Sequence, residues 1–165
     1  MYTNYEKTLV ILKPDAVQRK LSGEIITRFE KAGLKIHAMR LQKVEKALAE
    51  VHYEEHKGKV FYNPLLNYIT SSPVIVLVIG GIAAISKVRT LVGATEPAAS
   101  APGTIRGDYS HQPYHPEGSV YIRNLIHASA NIEDATREVG LWFNDDELID
   151  YDTIDDAWLG INTNE

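Results

Sequence analysis

The sequence predicts an α+β sandwich on a mostly antiparallel sheet. Short β-branched and apolar runs, Thr8–Leu12 and Pro73–Ile79 foremost, read as buried strands. Between such runs, apolar residues recur at helical spacing, as in Ile25, Ile26, Phe29 and Ala32. The segments follow one another as β-α-β-α-β-α-loop-β-α, an order that suits helices packed on one antiparallel sheet.

Each element has a local reason. The Thr8–Leu12 strand ends at Lys13-Pro14-Asp15, because Pro14 cannot donate to a ladder and favours a turn. A helix opens at Ser22-Gly23-Glu24 and closes at Gly33, a C-cap residue. Leu34 to Val44 alternates in part and reads as a strand, and Lys46 to His56 as a helix. Phe61 to Thr70 is expected to be a short helical piece broken near Pro64. Pro73–Ile79 is the strong central strand, with a turn expected at Gly80-Gly81. Ala83 to Val92 is a helix ended by Gly93, and Gly93 to Ser119 a long loop rich in Gly, Pro, Ser and Thr. A structureless loop of that length is unusual in a compact domain and tends to be functional. Val120 to His127 returns to strand character. Asn131 to Phe143 is a helix with Ile132, Ala135, Val139 and Trp142 on one face.

The chain has 165 residues, 44% of them hydrophobic, which fits one domain (1–143) with an appendage. The appendage, 144–165, is acidic but holds Trp158 and Leu159, so it is expected to dock on the domain or on a neighbouring subunit. With 22 acidic against 17 basic residues and a net charge of −5, capture of nucleic acid is not expected. The absence of cysteine excludes disulfides, thiolate metal sites and a Cys nucleophile. The longest apolar stretch, Val74 to Ile85, falls short of the roughly 20 residues of a membrane span, so a cytoplasmic protein is expected.

Among six histidines, His52 and His56 are spaced one helical turn apart, a spacing that metal ligands use. Tyr53, however, stands where the zinc-protease pattern has its Glu, so a helix-surface reading is favoured over a metallohydrolase. His127 differs, since it ends an apolar strand, Asn124-Leu125-Ile126-His127-Ala128-Ser129, and Glu138 lies on the helix that follows. A carboxylate on one ring nitrogen fixes the tautomer and leaves the other nitrogen for attack. Lys13, Arg89 and Arg106 each lie close to a Pro or Gly, and such cations match phosphate oxygens. Neither a Walker loop nor a G-x-G-x-x-G is present, so side chains would have to hold any nucleotide. By spacing alone His127 is one candidate, and a non-catalytic binding module remains an alternative.

Taken together, the segments resemble the nucleoside diphosphate kinase family. The stretches that carry the resemblance are Thr8-Leu9-Val10-Ile11-Leu12-Lys13-Pro14-Asp15, His52-Tyr53-Glu54-Glu55-His56-Lys57, Gly93-Ala94-Thr95, Ala101-Pro102-Gly103-Thr104-Ile105-Arg106-Gly107-Asp108 and Asn124 to Ser129. They occur in family order. The resemblance implies a ferredoxin-like sandwich, a four-stranded antiparallel sheet with helices packed on it. It implies ping-pong transfer of the γ-phosphoryl of a nucleoside triphosphate to His127, as a pros-phosphohistidine, and then to a nucleoside diphosphate. By the same resemblance Glu138 orients His127, with Ser129 beside it. Lys13, Tyr53, Arg89, Thr95, Arg106 and Asn124 contact phosphates or sugar, and Phe61 stacks on any base. Mg²⁺ is expected to arrive on the nucleotide phosphates, with no dedicated protein site. A homo-oligomer is expected, a hexamer before a tetramer. The sequence departs from the family pattern at Ala128, where Gly is commoner, and at Ala130, where an acid is usual. It also has a longer loop over 109–122, which leaves Val120 and Tyr121 both open as cover for the base's second face.

Overall fold

A computed structural model of the chain describes residues 4–112 and 123–161. Four strands, β1 (Tyr5–Leu12), β2 (Lys35–Gln42), β3 (Val74–Ile82) and β4 (Ile126–Ala128), form one sheet in the order β2-β3-β1-β4. Every neighbouring pair is antiparallel. Leu9 to Leu12 are buried without alternation, as both faces of the sheet are covered.

One core packs Val10, Leu12, Leu77 and Ile79 against α2 (Ser22–Lys31) and α5 (Ala84–Val92), through Ile25, Phe29 and Val88. The other packs Leu9, Ile11, Val76 and Val78 against α3 (Lys46–His52), α4 (Tyr62–Ile69) and α7 (Ile132–Trp142), through Ala49, Leu65, Ile69 and Trp142. On β4, Ile126 and Ala128 enter the first core. The two-residue period therefore turns His127 toward the second, opposite Ile11.

Several expectations need correction. A short helix, α1 (Pro14–Gln18), follows β1 directly, with Pro14 in its first turn where no intrahelical N–H is required. For the same reason Pro64 does not break α4, because it too lies in the first turn. The helix from Lys46 stops at His52, and Glu54–His56 form a separate 3-10 turn. β3 runs through Gly80-Gly81 to Ile82 instead of turning there. At Gly80 an added Cβ would lie 2.4 Å from His37 Nε2, so only glycine lets that ring cross the strand. The 93–119 segment is not structureless, since it holds a 3-10 turn at Pro97–Ala99 and α6 (Ile105–Tyr109). Of the strand expected over Val120–His127, the described part forms β4 only from Ile126, and residues 120–122, with both candidates for covering the base, Val120 and Tyr121, lie outside the described residues.

Residues beyond α7 are tied to β2. Ile149 N–H donates to His37 O at 2.8 Å. The buried Lys35 Nζ donates to Asp156 Oδ2 at 2.7 Å and to Tyr151 O at 2.5 Å. Asp156, in α8 (Asp156–Leu159), also accepts from Thr153 N and Oγ1. Burial pushes the Asp156 carboxyl up, but Lys35 and the Thr153 donors outweigh it and hold it below the usual range. A depressed carboxyl stabilises above its unfolded pKa, and that contribution is lost only as pH falls through the folded value. Stripping a buried cation of its partner costs about 3–5 kcal/mol if the cation stays buried. Asp156→Ala is therefore expected to release the tail so that Lys35 regains water. Limited proteolysis checks this: faster cleavage after residue 148 with an unchanged core fragment is expected, and wild-type protection would refute it.

Candidate active site

The nucleophile candidate is aimed by a strained turn. Leu125, two residues before His127, has φ of +68°, a conformation unusual for a side chain with a Cβ. Two contacts hold it: Lys13 N–H donates to Leu125 O at 2.8 Å, and Leu125 N–H donates to Asp15 Oδ2 at 3.2 Å. Asp15 is buried and also accepts from the Tyr68 hydroxyl. Sequence reasoning missed Asp15 and Tyr68, because no local pattern links either to residue 125. Asp15→Ala would take the acceptor from the Leu125 N–H and remove the carboxylate bond of the Tyr68 hydroxyl, where each charge-assisted bond is worth about 1.5–3 kcal/mol. A stability loss of about 3 kcal/mol in denaturant unfolding is expected, with a matching fall in turnover. Wild-type stability in this variant would show that the turn holds without Asp15.

Glu138 reaches His127 because α7 buries the stripe Ala135, Glu138 and Trp142. The helix starts at Asn131, whose side chain caps Asp134 N–H at 2.8 Å. Glu138 Oε2 lies 2.9 Å from His127 Nε2 and accepts from the Ser129 hydroxyl at 2.8 Å. Ser129 Oγ in turn accepts from Leu9 N–H at 3.2 Å. Burial raises the Glu138 carboxyl, but the His127 hydrogen bond and charge, then Ser129, bring it below the ordinary carboxylate range. An ionised carboxylate only accepts, so His127 Nε2 carries the ring proton and Nδ1 keeps its lone pair.

Around His127 lies a cleft of about 270 Å³. Lys13, Tyr53, Arg89, Thr95, Arg106, Asn124 and Glu138 all border it. The Lys13 ammonium donates to Asn124 Oδ1 at 2.7 Å, and Asn124 Nδ2 donates to Thr95 O at 2.9 Å. Arg106 donates to four carbonyls, of Gly93, Ala94, Asn124 and Ile126, which fixes its charge as part of the cleft wall. Gly107 follows it because an added Cβ would lie 2.0 Å from Ala101 O. Ser129 sits behind Glu138 and does not border the cleft. Phe61 also stands off from the wall, 5.3 Å between ring centroids from His56, which does border it. His52 is buried rather than on a helix surface, and its Nδ1 accepts from Trp142 Nε1–H at 3.1 Å. A wider groove of about 800 Å³ between α2, α5 and α8 lacks a buried charged group.

A family model described as nucleoside diphosphate kinase matches residues 6–148. The chain belongs to the nucleoside diphosphate kinase family. It is 48% identical over 154 residues to the nucleoside diphosphate kinase of Archaeoglobus fulgidus, covering 93% of this chain and 97% of that protein. A nucleoside diphosphate kinase of Borrelia burgdorferi, solved as a transition-state mimic with vanadate and ADP, superposes with a TM-score of 0.89. The two are 42% identical, over 93% of this chain and 96% of that one. The Halobacterium salinarum nucleoside diphosphate kinase, solved with CDP, has a TM-score of 0.84 at 44% identity, covering 93% and 97%. The chain is therefore an enzyme, a nucleotide-binding phosphotransferase with the antiparallel α+β fold of these kinases. No described helix is long and apolar enough to cross a membrane.

Proposed function

We propose that this nucleoside diphosphate kinase works by ping-pong transfer through a phosphohistidine at Nδ1 of His127. The observation that carries this reading is the clamp of ionised Glu138 on His127 Nε2, which leaves the Nδ1 lone pair at a cation-lined cleft. In the first half-reaction Nδ1 bonds to the γ-phosphorus of a nucleoside triphosphate. The bond from that phosphorus to the β–γ bridging oxygen breaks, and the diphosphate leaves with the electron pair. In the second half, a terminal oxygen of another diphosphate attacks the same phosphorus and Nδ1 takes its electron pair back. Glu138 stabilises the charge that develops on the ring, with Ser129 holding the carboxylate in place.

Lys13, Arg89 and Arg106 neutralise the phosphoryl oxygens, while Tyr53, Thr95 and Asn124 orient phosphates and sugar. Phe61 provides a stacking face that accepts any base, hence broad specificity. The described donors fit Mg²⁺ carried on the nucleotide. Among the described residues the potential metal cluster near His127, His52 with His127 and Glu138, offers nitrogen donors and a carboxylate already in use rather than an oxygen cage. Carried on the nucleotide, Mg²⁺ would neutralise phosphate charge. Self-association is supported by the exposed Met39, Leu41, Ile154 and Trp158, a hexamer before a tetramer resting on the family resemblance alone, and sedimentation showing a stable monomer would exclude it.

The test is incubation with ATP labelled in its γ-phosphate. Acid-labile, base-stable label should appear on the protein and be discharged by a different nucleoside diphosphate. A wild-type enzyme that transfers phosphate without ever holding label would exclude the covalent route.

A further inference from the structure

The geometry points to His52 as a positioning residue for His127, a neutral imidazole locked by Trp142 that backs the nucleophile with an edge-to-face ring. This rests on the phosphohistidine reading above. Indole N–H is a donor only, so the 3.1 Å contact from Trp142 Nε1 requires His52 Nδ1 to accept. The single proton of the neutral ring must then sit on Nε2. Protonating Nδ1 as well would set two N–H groups against each other. Burial, with the nearby His127, Arg137, Lys13 and His56, also depresses the His52 pKa well below its ordinary value.

That Nε2 is a buried side-chain nitrogen with no hydrogen-bond partner among the described residues. A buried N–H left unmatched costs about 1–3 kcal/mol, which an apolar side chain would avoid. The position of the ring supplies a reason for keeping it. His52 borders the cleft, and its ring meets that of His127 edge to face, with centroids 4.7 Å apart and planes at 79°. One ring nitrogen of each histidine and a Glu138 oxygen lie within 4.8 Å of one another. Such a trio resembles a metal site, but Nδ1 is engaged by Trp142 and Nε2 carries a proton, so His52 has no lone pair to offer. It is instead a neutral ring set edge to face against one that becomes cationic as Nδ1 attacks. A second cation there would oppose that charge, whereas a neutral wedge fixes the ring plane without opposing it.

Single-turnover loading of His127 from ATP tests this, alongside nucleotide affinity measured by calorimetry. His52→Phe keeps an edge-to-face ring but removes the N–H and the acceptor for Trp142. It should slow loading at least about tenfold while affinity stays within about twofold. Trp142→Phe frees the His52 tautomer and should also slow loading, and the double variant should be no slower than His52→Phe alone. Nitrogen NMR of the wild type should show His52 as a neutral Nε2–H form at neutral pH. Wild-type loading in a folded His52→Phe, or an Nδ1–H signal for His52, would overturn the role. Should His52→Phe fail to fold, Trp142→Phe and the NMR tautomer decide. A wild type that never labels removes the phosphohistidine reading as well, whereas equal loading in wild type and His52→Phe removes this inference alone.

Discussion

Replacing His127 by alanine is expected to abolish phosphoenzyme formation and lower turnover by on the order of 10⁴-fold or more, as loss of a covalent nucleophile does. Nucleotide affinity should change little, because Lys13, Arg89 and Arg106 stand on other elements and keep their own contacts. Arg106 in particular is held by four carbonyls, and none of those bonds involves the His127 side chain. The expected signature is thus a collapse of kcat with a nearly unchanged dissociation constant. Glu138→Gln should fail in a different way. The amide can still accept from Nε2–H, yet the negative charge that answers the developing imidazolium is gone, so a loss of about 10²–10³ in the loading step is expected. Rapid-quench measurement of labelled protein separates the two. Label on His127→Ala comparable to wild type would refute the assignment of the nucleophile.

Lys13 should give the second large effect, and a distinctive pH dependence. Its ammonium is 3% exposed, and burial first, then the positive charge of Arg106, lower its pKa to about 7 against the help of Asp15. The unfolded chain holds this proton up to the ordinary value of 10.5. Between those two values the unfolded state binds more protons than the folded state, so stability should rise with pH, and below about 7 the slope should vanish. Nucleotide phosphates favour the charged form. Binding above about pH 7 should therefore take up a proton, and affinity should weaken as pH rises. Calorimetry in buffers of different ionisation enthalpy reads that uptake directly. It should be present in wild type and absent in Lys13→Met, which should also lose about 10²-fold in turnover. No uptake in wild type near pH 8 would mean that Lys13 is already charged in the free enzyme.

Much of this site was legible before any coordinates. Residue type and local period placed His127 at the end of an apolar strand, Glu138 on the next helix and Lys13 at the end of the first strand, while their expected roles came from the family resemblance. Four strands and the larger helices were equally legible, because apolar periodicity is a local property of the chain. What failed had both local and non-local causes. Pro64 looked like a breaker, yet its place in a first turn made it harmless. The 93–119 segment looked featureless, yet α6 forms in it around Ile105 and Arg106, both buried. His52 looked like a surface residue, and burial against Trp142 and His127 made it part of the nucleophile's surroundings.

By itself the sequence determined the alternation of strands and helices, the exclusion of thiol chemistry, and the candidate histidine, carboxylate and cations of the proposed site. Only the tertiary structure decided that Glu138 meets Nε2 and not Nδ1, that Asp15 holds Leu125 in a left-handed turn, and that Trp142 sets the proton of His52. The reason is sequence distance. Each of those contacts joins elements that the sheet order β2-β3-β1-β4 and the two packed cores bring together. Periodicity shows which face of an element is buried, and it carries no information about what is buried opposite.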